Sequence, residues 1–136
     1  MSRVVALRAA VLTAVLALAG LAAPAAAQAP RPEYLPYAEF RGDEPASHHA
    51  VKQAYNEAVE RYNKALYDYY VTLDRHDQLV DAFTRASNPA EQQKARAEAA
   101  PLRARLQVLR RDVTAAAAAV DQAKRRAAQA GVTLTP

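Results

Sequence analysis

Every seventh residue from His48 onward is a histidine or an aromatic: His48, Tyr55, Tyr62, Tyr69, His76 and Phe83. A second seven-step row runs through Val59, Leu66, Leu73 and Val80. Two adjacent rows at this spacing predict one long helix with a broad buried side, because a straight α-helix drifts by roughly 20° per heptad away from such a row. The large rings alternate with the small Val51, Ala58, Ala65 and Thr72, so a facing helix can fit large against small. Asp43, Glu44 and Pro45 place acids and a proline where free N–H groups and the positive dipole end favour them. This helix is expected over 44–86.

Ser87-Asn88-Pro89-Ala90-Glu91 marks a second start. Asn88 can accept from the N3 amide, Glu91 can reach back, and Pro89 occupies the first helical position. The apolar positions then advance by fours and threes from Ala95 through Leu102, Leu109, Val113 and Val120 to Ala127, ahead of Gly131, a residue suited to the position after a helix end. This predicts a helix over 89–130. The interior Pro101 removes one backbone bond and crowds the preceding turn. The four-three pattern crosses it without a change of phase, so a kink is expected there rather than a break. With so short a turn, the two helices must lie antiparallel. The expected fold is all-α: a long, coiled-coil-like two-helix hairpin over 44–131 with a short tail at 132–136.

Ahead of the hairpin stand two other segments. Arg3 and Arg8 precede an uncharged run that ends in Pro24 and Ala25-Ala26-Ala27, the pattern of a secretory signal over 1–27 cut before Gln28. The run is rich in alanine and broken by Gly20 and Pro24, which disfavours a retained membrane span. Residues 28–43 interleave Pro30, Pro32 and Pro36 with Tyr34, Tyr37 and Phe40. Proline fixes φ and discourages helix at the residue before it, so this is an extended arm whose aromatics either dock on the hairpin or meet a partner. The chain has no cysteine, so helix packing and self-association must supply what disulfides give other small exported domains.

Charge is divided along the chain. Residues 28–84 carry six Lys/Arg against ten Asp/Glu, and residues 85–136 carry ten against four. The halves attract each other. Arg96, Arg103, Arg110 and Lys124 share one seven-step row beside the seam of the second helix. The acid-first pairs Glu57/Arg61, Glu60/Lys64, Asp81/Arg85 and Asp121/Arg125 are spaced for surface ion pairs.

Chemistry is sparse. After residue 27 the serines are Ser47 and Ser87, both at helix ends where capping explains them, so no nucleophile, base and oxyanion site can be assembled. His48 and His49 are adjacent and point about 100° apart on a helix, unlike the i,i+4 pair that chelates zinc. No metal, cofactor or catalytic residue is assigned. A polar His76 in the seam suits a register-setting role. Tyr67 and Tyr70 fall off the aromatic row and are the tyrosines expected to be exposed.

The expected function is that of an exported, non-enzymatic structural or adaptor protein of a bacterial envelope. Its candidate surface joins Val59, Leu66, Leu73 and Val80, left partly wet by two helices alone, to the cationic row of Arg96, Arg103 and Arg110. A second copy, an envelope protein or an anionic envelope component would dock there. The alternative is a holdase-like client binder that keeps the aliphatic row open. A small-ligand or metal-binding role ranks below both. Nucleic acid fits the sign of the charge but not the export signal.

Overall fold

Helix α1 spans Ala46–Arg85 and helix α2 spans Pro89–Gln129, and the two pack against each other along their length. The structure, a computed structural model, describes residues 31–136. The expected signal segment and its cut lie outside the described residues. Among the described residues there is no strand, and no helix is long and apolar enough to cross a membrane. Near the turn Leu79 lines the same hollow as Ala95, and Arg75 lies 3.9 Å from Glu98. At the open end Ala58 meets Ala123. The helices are therefore antiparallel.

The helix ends follow local chemistry. Glu44 precedes a proline and is kept out of the α region, so α1 begins after Pro45, whose extended backbone makes it the N-cap with no side-chain cap. Ser47 thus does not cap this helix. At α2 the Asn88 side chain accepts from the Glu91 amide at 2.9 Å, and a Glu91 carboxylate oxygen accepts from the amide of Ser87 at 3.4 Å, one residue earlier than the expected return bond. Pro101 sits within α2, which does not break into two. After Ala130 the chain turns through Gly131 at φ 67°. The Val132 amide bonds the Ala127 carbonyl at 2.9 Å, and the Gly131 amide bonds Ala128 at 3.2 Å. This is a left-handed glycine cap that satisfies the last carbonyls, and Val132 and Ala127 are both buried across it.

The aromatic row is the seam. Tyr55 and Tyr62 are buried with Ala58, Val59 and Leu66, and α2 brings Val113, Ala116, Ala117, Val120 and Ala123 to the same cluster. Large rings on one helix meet mostly small residues on the other, which lets the backbones approach. Burial pushes the Tyr55 hydroxyl above its usual pKa, and that hydroxyl donates to the Pro36 carbonyl at 3.4 Å. His76 keeps its place in the row with a 13 % exposed side chain, Nδ1 lying 3.4 Å from Asp77 while Nε2 is buried without a hydrogen-bond partner.

A third segment completes the core. Ala38 is 4 % exposed and belongs to the central cluster, with Leu35 packed against it. The arm runs back along α1 on one ladder of contacts. His49 Nε2 lies 2.9 Å from the Arg41 carbonyl. Asn56 accepts from the Ala38 amide at 2.7 Å and donates to its carbonyl at 2.9 Å. Asn63 does the same for Leu35, at 2.8 and 2.9 Å. Tyr70 donates to the Pro32 carbonyl at 2.6 Å.

The four helix residues are seven apart, and the four arm residues are three apart in the opposite direction. Seven helical residues rise about 10.5 Å; three residues of a polyproline II chain rise about 9.3 Å and return to the same face. The two periods therefore match to about 1 Å per rung. The mismatch accumulates toward the ends, where the longer His49 and Tyr70 reach only a carbonyl. The short asparagines in the middle hold both polar groups of one residue.

The arm is clamped at its other end. Lys52, only 1 % exposed, donates to the Glu39 carbonyl at 2.8 Å and is paired with the Glu44 carboxylate. That bond holds Glu44 below the usual carboxylate pKa. A buried ammonium needs such partners, since an unpaired charge away from water is strongly unfavourable. The C-terminal tail returns over the same place: the Glu39 amide donates to the Thr135 carbonyl at 3.1 Å, and Leu134 packs on the core cluster.

Candidate interaction surfaces

The arm changes the expected aliphatic surface. Val59 is 0 % and Leu66 is 1 % exposed, so neither is offered to a partner. Leu73 and Val80 are half-buried. The reason is that two helices alone would leave this row wet, whereas Leu35, Ala38 and Leu134 lie over its first half. The expectation that self-association must cover Val59 and Leu66 is corrected accordingly.

Arg96, Arg103 and Arg110 are exposed on α2. Of the three, Arg110 borders the aliphatic row: it lines a recess of about 220 Å³ with Leu66, Tyr69, Val113 and Pro32. Pro32 thus stands beside Arg110 and Leu66 rather than leaving them as one continuous face. All nine lysines and arginines of α2, from Lys94 to Arg126, are exposed. None of them forms an ion pair within 4.0 Å among the described residues. The expected Asp121/Arg125 pair is not formed. The contrast with α1 is sharp, where Lys52, Lys64, Arg75 and Arg85 all have carboxylate partners, Lys64 with Asp68 rather than Glu60. Glu57 and Arg61 remain apart as well.

The aromatics divide between inside and outside in a way the seven-residue row does not reveal. Tyr70, expected on the surface, is half-buried on the arm. Tyr67 is 59 % exposed as expected. The arm docks mainly through Leu35, Ala38 and its backbone, while Tyr34, Tyr37 and Phe40 stay about half exposed. Phe40 meets the edge of His49 with ring centroids 5.6 Å apart, so His49 is engaged by the arm. Among the described residues no three metal-ligating side chains come together.

On the face away from the arm, Ala50, Ala54, Ala58, Ala119 and Ala123 floor a groove of about 480 Å³ edged by Glu57 and Arg126. Compared with known proteins, the chain matches no family model, no curated protein and no solved structure.

Proposed function

We propose that the protein is an exported, non-enzymatic adaptor of the bacterial envelope that works through contacts with an anionic partner. The observation that carries this reading is the exposed cations of α2, nine lysines and arginines with no carboxylate partner within 4.0 Å among the described residues. Exposed arginines without a carboxylate partner can form bidentate bonds with carboxylate or phosphate groups. The arm supports the same reading by completing the core within one chain, so the helix α2 is displayed on a rigid body. The N-terminal pattern of two arginines, an uncharged run and a small-residue end supports export. The holdase alternative loses its main support, because the aliphatic row it would leave open for clients is covered over Val59 and Leu66.

The test is capture from envelope extract by the immobilised protein, followed by crosslinking, at low and high salt. Exposed charge pairs are screened beyond about 8 to 10 Å near physiological ionic strength, so capture should fall steeply with salt. Replacing Arg96, Arg103 and Arg110 together by Gln should reduce it without loss of helicity, since Gln is a comparable helix former. A triple variant that captures as well as wild type at both salt concentrations refutes the cationic surface.

A further inference from the structure

The recess beside Arg110 lies where the three segments meet. Pro32 comes from the arm, Leu66 and Tyr69 from α1, and Arg110, Val113 and Thr114 from α2. Pro32 is fixed as one wall by the 2.6 Å bond from Tyr70 to its carbonyl. Leu66, only 1 % exposed, forms an apolar base. The polar groups are of one kind. Arg110 is exposed and has no carboxylate within 4.0 Å among the described residues. Tyr69 leans on Tyr70 with ring centroids 5.7 Å apart, and its hydroxyl has no hydrogen-bond partner among the described residues. The Thr114 hydroxyl already donates to the Arg110 carbonyl at 2.9 Å. The recess thus offers two unengaged donors, one of them charged, beside an apolar wall, and no carboxylate lines it.

We infer that this recess takes the last residue of a partner protein, an aliphatic one, with its free terminal carboxylate on Arg110 and Tyr69 and its side chain on Leu66, Val113 and Pro32. Capture of a chain end by its carboxylate is a recurring mode of recognition, and arginine binds a carboxylate in bidentate fashion. The volume of about 220 Å³ sets the size. It is below the roughly 300 to 1,000 Å³ of small-molecule pockets, and at about 30 Å³ per water it holds about seven non-hydrogen atoms. A leucine side chain with its α-carbon and terminal carboxylate is of that size. Inorganic phosphate would leave the apolar wall uncovered, and an acidic side chain inside a sequence would bring backbone on both sides that so small a recess does not admit.

The inference rests on the adaptor reading and narrows its anionic partner. Arg103 and Arg96 follow Arg110 along α2 in seven-residue steps of about 10.5 Å. Three residues of a polyproline II chain span about 9.3 Å and return to the same side. Acidic side chains three and six residues before the partner's end therefore fall beside Arg103 and Arg96.

Fluorescence anisotropy with the purified protein and a labelled seven-residue peptide, ending in leucine and carrying glutamates three and six residues before its end, provides the test. The peptide binds. Amidating its C-terminus and Arg110→Gln each weaken binding by at least about tenfold, the loss of a charge-assisted bond. Replacing its last leucine by serine does the same, since the apolar contact is lost. Tyr69→Phe weakens it by about two- to tenfold. Arg85→Gln, at the far end of α1, changes it by less than about twofold, as for a surface charge away from the site. Circular dichroism confirms that Arg110→Gln keeps its helices, and the amidated peptide needs no variant at all. No binding up to about 1 mM peptide, equal binding of acid and amide, or indifference to Arg110→Gln each overturns the proposal. If envelope capture still falls with salt and with the Arg96→Gln/Arg103→Gln pair after such a result, the adaptor reading stands and only the recess is lost.

Discussion

Asn63→Ala removes one rung of the ladder and leaves the helix intact, since alanine is the best helix former. Asn63 satisfies both polar groups of Leu35, accepting from its amide at 2.8 Å and donating to its carbonyl at 2.9 Å. Each such bond contributes about 1 kcal/mol net, so the pair is worth about 2 kcal/mol. A polar group left dry would add about 1 to 3 kcal/mol, but Asn63 and Leu35 are only half-buried and water can replace part of what is lost. The expected loss is about 2 to 3 kcal/mol, or a fall in Tm on the order of 10 °C for a domain of this size.

Urea unfolding followed by circular dichroism gives the first number, and hydrogen exchange at the Leu35 and Ala38 amides locates it. Both amides should lose protection, because the rungs hold one continuous segment. For the same reason the Asn56→Ala/Asn63→Ala pair should be non-additive, the second change adding less than the first once the arm is loose. Gln53→Ala, which removes only an exposed bond to Glu57, should stay within about 0.5 kcal/mol. A loss below about 0.5 kcal/mol for Asn63→Ala, with Leu35 and Ala38 still protected, would refute the ladder as the device that docks the arm.

Tyr62→Ala should lower stability by about 3 to 5 kcal/mol, the range for a large buried aromatic, as read by chemical denaturation; a surface-sized effect would place the tyrosine row outside. Lys52→Ala leaves the Glu44 carboxylate and the Glu39 carbonyl without their shared ammonium and should destabilise well beyond the surface-substitution range of about 0.5 kcal/mol, again by denaturation. Because Lys52 lowers the Glu44 pKa, the pair stabilises the fold above the ordinary glutamate value near about 4.3 and loses that contribution as pH falls through the lowered folded value. Acid titration should show wild type losing stability over that interval and Glu44→Gln losing less; equal acid sensitivity would remove Glu44 from the account.

Both helices were legible because their signals are local or strictly periodic. The Asn88 cap needs only its neighbours, and the rows through Tyr55 and Tyr62 and through Val59 and Leu66 repeat every seven residues. The start of α1 fell later than expected because Pro45 acts on the residue before it, a constraint stronger than the preference of acids for a first turn. What stayed hidden was the third segment. Asn56, Asn63 and Tyr70 also repeat every seven residues, but polar residues on a helix ordinarily face water, and nothing in α1 says that the partner of this row has a period of three. The aliphatic row then looked open along its whole length, when the arm covers the levels of Val59 and Leu66 but not those of Leu73 and Val80. Pairing of surface charges was the least legible feature, since Glu57, Glu60 and Asp121 each had a cation at the right spacing and none used it.

The ladder also sets how this protein responds to force. Pro32, the outermost arm residue on the ladder, is tied to Tyr70 near the middle of the hairpin, so of the four rungs this one takes tension from the N-terminal side first. The next rung, Asn63 to Leu35, bears load only after the first has opened, and the remaining ones follow in sequence. Such an arrangement unzips at low force, whereas the two long helices, loaded along their shared length, would have to shear. Tension that peels the arm away would therefore lengthen the molecule by about 3 Å per residue released while α1 and α2 stayed paired.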